Sequence, residues 1–161
     1  IASFINERKR ESENMGKVAT IQQTIRGIGM NIVHPQRRLL KRGQLTRVNA
    51  ETGAHETRYF YLLSDMMLST IPTEDKLRIY DGYILIRGAK MISMKHKLDF
   101  GVQYANNKKV FYRAKSADSK AKWVSFFQKG IAELAALAPV SILVAKVMNL
   151  TYHRIRHQTF Y

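Results

Sequence analysis

Basic side chains gather around one short polar stretch of this chain. Arg47 and Arg58 flank residues 49–56, and Lys41 and Arg42 stand just upstream. Lysines and arginines around a short open loop can hold phosphate groups through charge-assisted hydrogen bonds. Anion binding is therefore the chemistry this pattern allows. Other chemistries are poorly supplied. Gly27-Ile28-Gly29 is too short for a phosphate-cradling loop and falls at a helix end. His153 and His157 lie four apart, but no Asp, Glu or Cys stands near them to complete a metal site. No nucleophile lies beside a base in a recognisable motif. The chain is expected to carry no catalytic residue, no cofactor and no metal.

The formal net charge is +15, with 27 Lys/Arg against 12 Asp/Glu over 161 residues. It is uneven. Residues 1–48 carry ten basic against three acidic residues, and residues 87–122 carry ten against two. Between them, residues 49–86 hold three against six. Such a field favours lipid headgroups, nucleic acid or an acidic protein surface, or serves as a solvated basic face. There are no cysteines, and no basic-then-apolar leader opens the chain. The apolar tract from Leu134 to Leu150 is broken by Pro139 and Lys146. These features predict a soluble cytoplasmic protein.

The elements that must position the basic cluster follow from periodicity. Met15, Val18, Ile21, Ile25 and Ile28 recur at three- and four-residue steps, predicting an amphipathic helix from Phe4 to about Ile28 that ends at Gly27 and Gly29. Its apolar stripe needs a partner: the following domain, another copy, or upstream residues. Leu39 to Val48 reads as a strand, 49–56 as a polar turn around Gly53, and Arg58 to Leu63 as an aromatic-rich second strand. Met66 to Ile71 makes a third, and Leu77 to Ser93 holds two more around Arg87-Gly88. Leu98, Phe100, Val102 and Tyr104 alternate with polar or small residues, Asn106-Asn107 turns the chain, and Val110, Tyr112 and Ala114 return it. A closing helix begins near Ser116 with Asp118 or Ser119 as cap, and Trp123, Phe127, Ile131 and Leu134 share its core face. A second helical pattern follows Pro139.

Seven antiparallel strands closed by one C-terminal helix make an α+β sandwich or barrel, and the order resembles a pleckstrin-homology domain. The first helix adds a second resemblance. Ile5-Asn6-Glu7, Lys9-Arg10, Glu13-Asn14 and Ile21-Gln22 are similar to the last helix of a Dbl-homology domain, the exchange domain of Rho-family guanine nucleotide exchange factors. In that family a pleckstrin-homology domain follows this helix directly, as here. The resemblance implies three parts: residues 1–34 as the final exchange-domain helix and linker, 35–136 as the pleckstrin-homology domain, and 137–161 as a helical extension.

The same resemblance implies site residues. Arg47 takes the basic position at the end of the first strand, and Arg58 the last position before the aromatic run of the second; Lys41 and Arg42 lie nearby. Glu56 stands where the family's phosphoinositide binders place another basic residue. That departure argues against stereospecific inositol recognition and leaves a weak attraction to anionic membranes, with peripheral membrane recruitment. Asn6 matches the residue that contacts the GTPase during nucleotide release. The other exchange-domain helices are absent, so the resemblance implies a non-catalytic fragment whose parent regulates a Rho-family small GTPase.

Three functions remain. The first is a regulatory and membrane-targeting module of such an exchange factor. The second is a free-standing adaptor binding anionic lipid or protein. The third, nucleic-acid binding, rests on charge alone and requires exposed aromatics among the basic residues. An uncovered stripe on the first helix also allows a homodimer.

Overall fold

The computed structural model describes residues 2–49 and 51–158, with side chains to residue 137. Helix α1 spans Ala2–Thr24, and β1 is the two-residue strand Ile25–Arg26. Seven strands follow: β2 (Leu39–Val48), β3 (His55–Leu63), β4 (Met66–Pro72), β5 (Arg78–Leu85), β6 (Lys90–Ile92), β7 (Asp99–Gln103) and β8 (Lys109–Arg113). Helix α2, Ala117–Gln158, closes the order. The described strands form one sheet ordered β1-β5-β4-β3-β2-β8-β7-β6, antiparallel except where β1 runs parallel to β5.

The sheet curls around an inner core. Leu45, Phe60, Leu62, Met67, Phe100, Val102 and Tyr112 point inward, and Trp123 and Phe127 of α2 close over them, both almost fully buried. Trp123 packs against Gly43: a Cβ there would meet its ring at 3.4 Å. Ser116 caps α2 by accepting from the Ser119 amide at 3.1 Å, so the cap is Ser116 rather than Asp118 or Ser119. Its hydroxyl stands at the spacing from which an N-cap oxygen reaches the N3 amide. Pro139 does not divide α2, which continues to Gln158 as one element; a proline inside a helix forgoes one backbone bond without necessarily ending it.

The outer face of the sheet has its own core, and here the first helix finds its partner. Val18, Ile21 and Ile25 pack on Tyr61, Leu63, Met66 and Leu68, joined by the buried linker residue Ile32. The stripe is covered at its C-terminal end by the chain itself, while Phe4 and Ile5 at the other end stay exposed. The helix stops four residues earlier than its periodicity predicts. Ile25 and Arg26 leave the helical ladder to pair with Arg78 and Ile79 of β5, which adds an eighth strand to the expected seven. Gly27 then turns the chain at φ +80°, a conformation glycine adopts without a Cβ penalty.

Hydrogen bonds fix the linker to both layers. The Ile32 amide donates to Gln22 Oε1 at 2.9 Å. Arg37 makes a two-pronged contact with Asp65, at 2.8 and 2.7 Å, and also donates to the Ile32 carbonyl at 2.8 Å. Arg38 pairs with Glu133 of α2. The basic linker residues are thus structural ties. Among the described residues no helix is long and apolar enough to cross a membrane. Because Trp123 bridges helix and sheet, Trp123→Ala should lower stability by about 3–5 kcal/mol, read as a shift in the urea midpoint with an unchanged slope.

Candidate functional site

At one end of the barrel the inner face changes from apolar to charged. Arg47 lies two residues beyond inward-facing Leu45 on β2, and it pairs across the ladder with Glu56 of β3. Arg58 lies two residues before Phe60 on the same face of β3. Alternation along each strand therefore sends all three side chains into the mouth of the barrel. The fourth partner comes from an irregularity. Ser69 of β4 pairs with Gly82, but Thr70 pairs with Tyr80, which leaves Asp81 as an extra residue in β5. Such a bulge re-aims a side chain. It turns Asp81 onto Ser69 Oγ, which donates to it at 2.8 Å, onto Arg47 at 3.0 Å and onto Arg58 at 3.1 Å.

Arg47 also donates to Glu56 at 2.8 Å. Two cations and two anions thus close a neutral, three-quarters-buried cluster. Its electrostatics are mutual. Burial alone would raise the Asp81 pKa, but the Ser69 hydroxyl and the two arginines hold it below the usual carboxylate value. The bond from Arg47 and then that from Asn49 hold Glu56 low as well. Burial pulls the Arg47 pKa down, and its bonds to Glu56 and Asp81 more than restore it. Deeper in the barrel, the Tyr104 and Tyr112 hydroxyls meet at 2.7 Å, and burial pushes Tyr112 up to about 12.

Outside the cluster lies an open cleft of about 660 Å³, whose rim carries Asn49, Glu51, Lys108 and Lys109. The expected basic residues therefore separate. Arg47 and Arg58 are brought together, but their charge is met by Glu56 and Asp81. Lys41 lies six residues from Arg47 along β2, about 20 Å at the rise of an extended strand, and its ammonium sits 5.1 Å from the Trp123 ring centroid. Arg42 faces the opposite side of the sheet, beside α1. Asn6 is exposed on α1, in the part of the helix that the sheet does not cover. His153 and His157 lie outside the described side chains. Among the described residues no three metal-ligating side chains come together.

Sequence reading did not anticipate Ser69 or Asp81. A signal existed: Asp81-Gly82 interrupts the β-prone run RIYDGYILI, and glycine inside a strand often marks a bulge. The exposed aromatics that nucleic-acid binding requires are not supplied by Phe60, Tyr61 or Phe100, which are core residues.

A curled sheet closed by one helix, with a second helix docked outside and a charged mouth, defines a pleckstrin-homology fold joined to a preceding helical element. Comparison with known proteins gives the same class. No family model matches the chain. Among curated proteins it is 29% identical over 133 residues to the Guanine exchange factor for Rac 30 of Dictyostelium discoideum, covering 81% of this chain and 7% of that protein. It is 25% identical over 138 residues to human FYVE, RhoGEF and PH domain-containing protein 4, covering 81% of this chain and 18% of the other. Among solved structures, an activated truncation of Vav1 matches at TM-score 0.71 with 18% identity, over 80% of this chain and 35% of that one. The carboxyl-terminal PH domain of Pleckstrin matches at TM-score 0.51 with 19% identity, over 57% and 96% respectively.

These comparisons bear out the resemblance read from Ile5–Ile25 and from the strand order. In sequence the chain is similar to Rho-family exchange factors, and its fold is that of a pleckstrin-homology domain preceded by a helix, as in the Vav1 truncation it matches. It spans less than a fifth of the length of these two relatives.

The cluster makes stability depend on acid. Glu56 and Asp81 titrate lower in the fold than in the open chain, so their contribution is complete above the ordinary carboxylate range and is lost as pH falls through the folded values. Urea midpoints should hold level from neutral pH to about pH 5 and then drop toward pH 2, and Asp81→Asn should flatten that fall.

Proposed function

We propose that this chain is the C-terminal part of the exchange region of a Rho-family guanine nucleotide exchange factor, serving as a non-catalytic regulatory module. The observation that carries this reading is the docking of α1 on the sheet. Val18, Ile21 and Ile25 seat in the outer core, β1 joins the ladder, and Arg37 ties the linker to Asp65. A helix held in this way cannot swing independently of the strands. In a protein whose exchange domain precedes it, the strand domain would keep one orientation toward a GTPase bound near Asn6. The function is to support and orient that encounter. Rho-family GTPases are the partner class that the names of the similar proteins suggest.

The membrane role in this reading is electrostatic. Arg47 and Arg58 are occupied by Glu56 and Asp81, so the barrel mouth offers no free pair of guanidinium groups to an inositol ring. What remains is the basic character of residues 1–48 and 87–122. An anionic surface attracts each nearby Lys or Arg by about 1 kcal/mol, and salt screens that attraction. The protein would thus act in the cytoplasm with peripheral, reversible recruitment to membranes.

Two measurements test this. Asn6→Ala, placed in a chain that includes the whole exchange domain, should slow nucleotide release from a Rho-family GTPase at least tenfold while leaving thermal unfolding unchanged; unaltered exchange would overturn the reading. Co-sedimentation should show equal binding to phosphatidylserine and phosphoinositide vesicles at low salt, with both lost at physiological salt. Salt-resistant binding to phosphoinositide alone would replace this diffuse attraction with a specific headgroup site.

A further inference from the structure

A second cavity, of about 380 Å³, lies on the opposite face of the sheet from the barrel mouth, where α1 meets the strands. Lys17 of α1, Arg42 of β2 and Arg78 of β5 converge on it, with Tyr61 in its wall. No Asp or Glu lines it. Elsewhere in the molecule Arg26, Arg37, Arg38, Arg47, Arg58 and Arg113 each hold a carboxylate. Lys17, Arg42 and Arg78 form no ion pair among the described residues.

Arg78 gives the sharper sign. Its guanidinium carbon lies over the Tyr59 ring, 3.8 Å from the centroid, in a cation–π contact. Its Nε is buried and has no hydrogen-bond partner among the described residues. An unsatisfied donor on a charged group is costly, and in native proteins a water or an ion commonly meets such a group. No threonine hydroxyl bonds it among the described residues. Thr20 and Thr24 spend their hydroxyl protons on the Gly16 and Ile21 carbonyls, at 3.0 and 2.8 Å, within the helix.

We propose that this cavity binds a phosphate-bearing anion, gripped between Lys17 on the helix and Arg42 and Arg78 on the sheet. Two guanidinium groups suit the oxygens of a phosphate monoester, and the ammonium adds a third contact from the other layer. The space exceeds that of a bare phosphate and admits the ring of an inositol phosphate. Such a ligand would bridge α1 to the sheet and stiffen the joint between them, since it binds only when both layers are in place. The site is distinct from the barrel mouth: Arg42 and Arg47 point to opposite faces, and the strand separates them. The phosphate could be that of a soluble inositol phosphate or of a lipid headgroup.

The test is titration calorimetry of this chain with inositol hexakisphosphate at fixed ionic strength, alongside thermal unfolding. Saturable one-to-one binding that raises Tm is expected. Lys17→Gln and Arg42→Gln, both exposed positions whose replacement leaves the cores intact, should each weaken binding roughly tenfold. Lys122→Gln, an equal loss of charge on α2 away from the cavity, should leave it unchanged. Binding insensitive to both cavity variants, or weakened equally by Lys122→Gln, would overturn the proposal in favour of diffuse charge. Sedimentation with phosphatidylcholine vesicles carrying a phosphorylated inositol lipid then assigns the source. Vesicle binding lost in Arg42→Gln identifies the headgroup as ligand, and vesicle binding absent while the soluble ligand still binds identifies the free phosphate; both outcomes uphold the site.

Discussion

Strands β3 and β4 are buried on both of their faces, and the rest of the structure depends on that. Phe60, Leu62 and Met67 face the barrel interior, while Tyr61, Leu63, Met66 and Leu68 face α1. A sheet left bare on its outer side would expose a contiguous apolar patch of the kind monomeric proteins avoid. The helix is therefore required by the sheet as much as the sheet by the helix. From this constraint come the tied linker, the short parallel strand β1 and the fixed aspect that α1 presents beyond Val18.

The same alternation that builds the inner core also builds the charged mouth. Each inward position past Leu45 and Phe60 continues to point inward, so Arg47 and Arg58 must be satisfied in a half-buried setting. Charges there need partners, and a lone buried cation would be strongly unfavourable. Glu56 supplies one by cross-strand pairing and Asp81 the other through a bulge. The cluster closes the open end and leaves little unmet charge. A basic chain thus carries a nearly neutral pocket where charge was expected to matter most. Three basic residues without ion pairs, Lys17, Arg42 and Arg78, meet instead at the helix–sheet joint.

Much of this was legible beforehand because it depends on short-range periodicity. The apolar runs Tyr59–Leu63 and Met66–Leu68, parted by Ser64-Asp65, leave no polar face on either stretch, as in strands covered on two sides. The alternation of Leu98 to Tyr104 and the helical spacing of Trp123 and Phe127 each name their own buried face. Met15 to Ile28 announced a stripe that had to be covered, though Ile25 exchanged helix for strand once β5 offered a ladder edge. Pro139 looked like a boundary because local propensity disfavours it in a helix, yet α2 continues through it.

The sequence by itself determined the order of elements, the two apolar faces of β3 and β4, the excess of basic charge and the likeness of Ile5–Ile25 to an exchange-domain helix. These properties are written in the types and spacing of neighbouring residues. Only the tertiary structure decided which charges meet. Arg47 lies nine residues from Glu56 but 34 from Asp81, and Arg42 is 36 residues from the Arg78 with which it shares a cavity. Such pairings depend on sheet order, on a single bulged residue and on which face each strand turns to the helix. Coulombic partnership is set by distance in space, and no local pattern encodes it.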